Sequence, residues 1–106
     1  MLKWNQDWDI GEWQMPEQSA RELVLAYAEH ASAVPGVLGV WAAVRDTTLN
    51  IYTLVTGEGQ AEKQAYKIEM QLYDKWAELP VRFHVYSDKT SLKEAVRDAE
   101  PILVAA

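Results

Sequence analysis

The chain has 106 residues, with 10 Lys and Arg against 16 Asp and Glu for a net charge of -6, and that length fits one domain able to bury about two-thirds of its unfolded surface without metal or disulfide staples. The absence of cysteine excludes disulfides, thiolate nucleophiles and cysteine-ligated zinc or iron–sulfur sites. An acidic balance is the wrong sign for phosphate backbones, so no nucleic-acid partner is expected; no apolar run approaches a membrane span, the opening MLKWNQDWDI is too polar for a signal-peptide core, and a cytoplasmic location is the simplest expectation.

Residues 1–15 read as a Trp-rich arm and residues 16–106 as a single folded domain. In the arm, Trp4, Trp8 and Trp13 are interleaved with Asp7, Asp9 and Glu12. Trp4, Gln6, Trp8 and Ile10 alternate with Asn5, Asp7 and Asp9, the pattern of a half-buried edge strand. The poor strand propensity of Asn, Asp and Gln points instead to an arm packed on the domain, and both readings stay open. Pro16 opens a helix, where its missing N–H does no harm. Ala20, Leu23, Val24, Tyr27, Ala28, Ala31 and Val34 recur at helical spacing, and Pro35-Gly36 stops the helix at about Ala33.

Two strand-like runs follow, Val37 to Arg45 and Leu49 to Thr56, separated by Asp46-Thr47-Thr48, short enough for a hairpin. After Gly57-Glu58-Gly59, a second helix is expected from Gln60 to Glu78, with Ala61, Ala65, Ile68, Leu72, Trp76 and Leu79 inward. Leu79-Pro80 ends it. From Val81 to Ser87 the period is two: Val81, Phe83 and Val85 face one way, Arg82, His84 and Tyr86 the other. Ser91 to Glu94 reads as a capping box for a short helix ending near Ala99, and Ile102-Leu103-Val104 as a docked tail or a last short strand. The fold class is therefore α+β, of order α-β-β-α-β-α, with helices packed on one face of a three- to four-stranded sheet. Pairing of residues 4–10 as a strand would make the order ferredoxin-like.

No catalytic constellation emerges. Neither His30 nor His84 has a second ligand at metal-binding spacing. No serine sits in a nucleophile elbow, and Gly57-Glu58-Gly59 is too short and too acidic for a phosphate cradle. Glu62, Tyr66 and Glu69 share a helical face, but Lys63 and Lys67 beside them make it a solvated, salt-bridged one. No cofactor and no metal are implied. The unusual feature is five Trp and five Tyr in the chain. Trp41, Tyr52, His84 and Tyr86 fall together on the sheet face away from Val81, Phe83 and Val85 if the strands pair in register. With Trp4, Trp8 and Trp13 they form the candidate interaction surface, because aromatic patches mark contacts with a partner or a second copy.

The stretch VWAAVRDTTLNIYTLV, residues 40–55, within the strand–strand–helix–strand order of residues 20–87, resembles the minimal nucleotidyltransferase-like domains, the antitoxin-type members in particular. Ala43-Val44 stands where that family carries Gly-Ser, Asn50-Ile51-Tyr52 where it carries an acid-x-acid pair, and Arg82 and His84 on the strand of a further acid. The resemblance therefore implies a non-catalytic relative that holds or neutralises a partner, with the two-metal chemistry lost. The leading expectation is a protein-interaction or regulatory module, binding another protein or itself as a homodimer. The alternative is a nucleotide-binding or nucleotidyltransferase-related enzyme using residues such as Asp46, Asn50 and His84.

Overall fold

Residues 2–4, 17–56, 60–77 and 79–105 are described by the structure, a computed structural model. In chain order its elements are β1 (Leu2–Trp4), α1 (Glu17–Ser32), β2 (Val37–Arg45), β3 (Thr48–Val55), α2 (Gln60–Lys75), β4 (Val81–Tyr86), α3 (Lys89–Ala95) and β5 (Glu100–Ala105). The five strands form one sheet in the order β1-β5-β2-β3-β4. All neighbours are antiparallel except β3 and β4, the pair that α2 connects, as parallel neighbours require a crossover. The expected α+β class holds, with two corrections: the sheet has five strands rather than three or four, because β1 and β5 both pair into it, and the helices do not all share one face, since α3 packs opposite α1 and α2.

The core follows from the helical periods. Ala20, Leu23, Val24, Tyr27, Ala28 and Ala31 of α1 are fully buried, and Ala61, Ala65, Ile68 and Leu72 of α2 are buried beside them. Both helices lie against the face of the sheet that carries Val40, Ala42, Leu49, Ile51, Val55, Val81 and Leu103. Phe83 and Val85 pack there too, as their alternation predicts. The short α3 lies on the opposite face, where Leu92 joins Ala43, Tyr52 and Leu54. Covered on both sides, β3 is buried along nearly its whole length.

The tail resolves as a strand: β5 inserts between β1 and β2, burying Ile102 and Leu103 completely. The strand considered for residues 4–10 begins earlier, and Leu2–Trp4 forms the sheet edge beside β5. The rest of the arm, with Pro16, Gly57-Glu58-Gly59 and Glu78, lies outside the described residues. The capping residue of α3 is Asp88 rather than Ser91. Its carboxylate accepts from the Thr90 N–H at 3.0 Å and from the Ser91 hydroxyl at 2.8 Å, so Ser91 is inside the helix and serves the cap. Aspartate is as good an N-cap as serine and stands where the chain leaves β4. The helix ends at Ala95, before the expected Ala99.

Two backbone features place the site. Gly36 has φ 94°, and a side chain there would press on Thr56 and Ala61, so the turn into β2 needs glycine. The β2–β3 loop is two residues long, Asp46 and Thr47 with φ 53° and 62°, the twist of a type I′ hairpin. Thr47 is β-branched and unsuited to that region. Thr47→Gly is expected to stabilise the protein by about 1 kcal/mol, the relieved left-handed strain less the added chain entropy. Chemical denaturation checks this; a lower midpoint would mean that the threonine side chain holds the turn.

Candidate functional site

Alternation along three strands builds the face opposite α1 and α2. In β2 it presents Gly39, Trp41, Ala43 and Arg45; in β3, Thr48, Asn50, Tyr52 and Leu54; in β4, Arg82, His84 and Tyr86. Register brings the expected aromatics together: Trp41 lies opposite Tyr52, Tyr52 opposite His84, and Leu54 opposite Tyr86. Tyr52 stacks on His84 at 4.7 Å between ring centroids and lies 6.4 Å from Tyr86. The Trp41 indole folds back over Gly39, so that a β-carbon at position 39 would collide with the ring.

The face is not an open aromatic surface. Leu92, Ala95 and Val96 of the α3 region pack on it, and Tyr52, at 3 % exposure, is interior. This corrects its assignment to the interaction surface: a ring that α3 covers cannot stack on a partner or a base. Trp41, His84 and Tyr86 remain half-buried. Trp4, more than a third exposed, is not part of this cluster. It lies opposite Leu103 in register, and Leu103 packs into the α1–α2 core, so Trp4 belongs to the other face. Trp8 and Trp13 lie outside the described residues.

Two concavities flank the buried Tyr52. One is a largely apolar groove of about 530 Å³ lined by Trp41, Leu54, Leu92 and Val96, with Lys89 and Lys93 also in its wall. The other is a polar cleft of about 240 Å³ near the β2–β3 turn, lined by Arg45, Asp46, Thr48, Asn50, Tyr52 and Arg82. Arg45 ties the two together. It donates to the Tyr52 hydroxyl at 2.8 Å and to the Ala95 carbonyl at 3.0 Å, the latter at the end of α3, where a cation complements the helix dipole.

His84 behaves as a held, neutral imidazole. The Asn50 amide donates to the Thr48 carbonyl at 3.0 Å, which turns its oxygen toward His84 Nε2 at 2.9 Å. That acceptor places the ring proton on Nε2. Burial, then the charges of Arg82 and Arg45, hold the His84 pKa below the usual histidine value. Burial also raises the Tyr52 pKa, against the opposing charge of Arg45. An amide cannot accept a proton from imidazole, so the Asn50–His84 pair is a structural tie and not a relay for general base chemistry. Among the described residues no three His, Cys, Asp or Glu side chains converge as metal ligands.

The sequence reading missed Arg45, the α3 residues Leu92 and Val96, and the role of Arg82. The strand period contains part of the signal: Arg45 is two strand repeats beyond Trp41, Asn50 one before Tyr52, and Arg82 one before His84. The acidic helical face also differs from expectation. Tyr66 donates to Glu62 Oε1 at 2.9 Å on the surface, but Glu69 turns inward, with Oε1 buried and unpartnered. No helix of the described residues is long and apolar enough to cross a membrane. No protein family, curated protein or solved structure matches this chain.

Proposed function

We propose that the protein is a non-catalytic recognition module whose α3-side groove takes an acidic, amphipathic segment of a partner protein. The groove itself supports this most directly: Trp41, Leu54, Leu92 and Val96 supply an apolar floor, and the exposed Lys89 and Lys93 flank it. On a chain of net charge -6, two lysines beside an apolar groove select an acidic ligand by local complementarity. Tryptophan is the side chain most often found as an interface anchor, and the indole is already seated over Gly39, so little ordering is lost on binding. The likeness to nucleotidyltransferase-like domains fits the same reading. A relative with Asn50 and Tyr52 in place of metal-binding acids keeps the scaffold without the chemistry.

The test compares wild-type protein with a Lys89→Glu/Lys93→Glu double variant and with a Lys63→Glu/Lys67→Glu control on the exposed side of α2. Each is tagged and used to retain partners from the native host, and the retained protein is then titrated against all three. Reversal at the groove is expected to weaken binding by at least about tenfold, or 1.4 kcal/mol, while the control binds normally. Equal binding by both variants rejects the groove. A stable homodimer in light scattering that the groove variant disrupts, and the control does not, makes a second copy of the chain the occupant and rejects an acidic partner protein.

A further inference from the structure

Beyond the partner groove, we propose that the cleft of Arg45, Thr48, Asn50 and Arg82 is a binding site for a phosphate group. Its volume of about 240 Å³ lies below the roughly 300–1,000 Å³ of sites that enclose drug-sized organic ligands, and it suits a single tetrahedral anion. The donors are abundant. A guanidinium carries five N–H groups, and Arg45 uses two, on Tyr52 and Ala95. The Arg82 side chain is exposed and, among the described residues, its guanidinium has no hydrogen-bond or ion-pair partner, its backbone alone being engaged in the β3–β4 ladder. It lies opposite Asn50 in the parallel register, so both side chains stand on the cleft side. Asn50 spends one amide hydrogen on Thr48 and has a second.

The carboxylate of Asp46 lines the same cleft. It is not ion-paired with either arginine among the described residues, and two guanidiniums against one carboxylate leave a net positive site. That balance discriminates between anions. A carboxylate brings one charge, and a phosphate brings close to two with three acceptor oxygens; attraction to the arginine pair and repulsion from Asp46 both grow with that charge, and because the site is net positive the attraction grows more. Arginine matches such an oxyanion with paired, charge-assisted hydrogen bonds. The arrangement opposes a divalent cation, which the two guanidiniums would repel.

The experiment is a set of ¹H–¹⁵N NMR titrations at constant ionic strength with inorganic phosphate, O-phosphoserine and acetate. Phosphate is expected to shift the amides of Thr48, Asn50 and Arg82 saturably, with half-saturation near the millimolar range. Arg82 is exposed, so Arg82→Gln leaves the fold intact, checked by the remaining amide shifts, and weakens phosphate at least about tenfold. Acetate binds at least about tenfold more weakly than phosphate. Phosphoserine binding as tightly as the free ion identifies a phosphomonoester as the group recognised, and binding by inorganic phosphate alone identifies the free anion. Shifts that do not saturate, that survive Arg82→Gln, or that acetate reproduces at equal concentration overturn the proposal. Arg45 is left unchanged, because it also holds Tyr52 and α3.

Discussion

Replacing Glu69 with glutamine is expected to stabilise the protein by about 2 kcal/mol at pH 8 and by less than about 1 kcal/mol at pH 5. Glu69 lies beside the buried stripe of α2, 8 % exposed, with Oε1 unpartnered. Burial raises its pKa from 4.5 to about 7. A carboxyl group raised in the folded state binds its proton there at a pH where the unfolded chain has released it. The folded state therefore holds more protons between about 4.5 and 7, and stability falls as pH rises through that window. Above it the ionised group is a constant penalty, and below it the penalty vanishes.

The full shift converts to more than 3 kcal/mol at about 1.4 kcal/mol per pKa unit, and water relaxing around a group near the helix surface reduces the effect to about 2 kcal/mol. His84 works in the opposite direction. Its pKa is lowered in the fold, so its contribution is complete above the unfolded histidine value and is lost as pH falls through and below it. Because His84 is present in both proteins, the difference between wild type and Glu69→Gln isolates Glu69. Denaturant midpoints measured from pH 5 to 8 are expected to diverge upward through pH 7. Parallel curves would show that the carboxyl group is not desolvated. Glu69→Leu, which also removes the unpaired polar atom, is the second variant and is expected to shift in the same direction.

Glu69 also shows what the sequence could not reveal. Glu62, Tyr66 and Glu69 share a helical face by spacing, and Lys63 and Lys67 suggested that all of it was solvated. Spacing gives an angle on the helix but not the height of the neighbouring element, and Glu69 stands at the border of the Ala65–Ile68–Leu72 stripe, where α2 meets its neighbours. The stripe of α1 was legible because the 3.6-residue period is local, and all six positions from Ala20 to Ala31 are buried. Strand alternation likewise put Trp41, Tyr52, His84 and Tyr86 on one face. What covers that face depends on where a seven-residue helix lands after β4, a long-range choice with no local period behind it. The same holds for β5, whose Ile102-Leu103-Val104 run is too short to distinguish a tail from an interior strand. The site was thus half legible: the aromatics follow from pattern, whereas the groove and the arginine cleft exist only once α3 and the sheet register are set.

Removing either hydroxyl of the Tyr27–Thr53 pair is expected to cost more than removing both in proportion. The Tyr27 hydroxyl lies 2.6 Å from Thr53 Oγ1, and both residues are essentially inaccessible to water. The pair joins the middle of α1 to the interior strand β3, while the Tyr27 ring packs 5.2 Å from Phe83 of β4. Tyr27→Phe leaves the threonine hydroxyl without its partner, and Thr53→Val leaves the tyrosine hydroxyl without its own. Each is expected to cost about 1–3 kcal/mol, the penalty for a buried unsatisfied polar group. In the double variant neither group remains, so its cost should fall short of the sum by about 1–2 kcal/mol. Urea denaturation of the four proteins measures this, provided the m-values agree. Exact additivity would mean that the two hydroxyls do not bond. The neighbour of Thr53 on β3 is Tyr52, the residue that Arg45 and α3 hold on the opposite face. If the Tyr27–Thr53 bond sets the position of β3, the single variants will also move the amide resonances of Arg45 and Ala95, and the double variant will move them less. Unshifted resonances there would confine the bond's effect to the α1 side of the sheet.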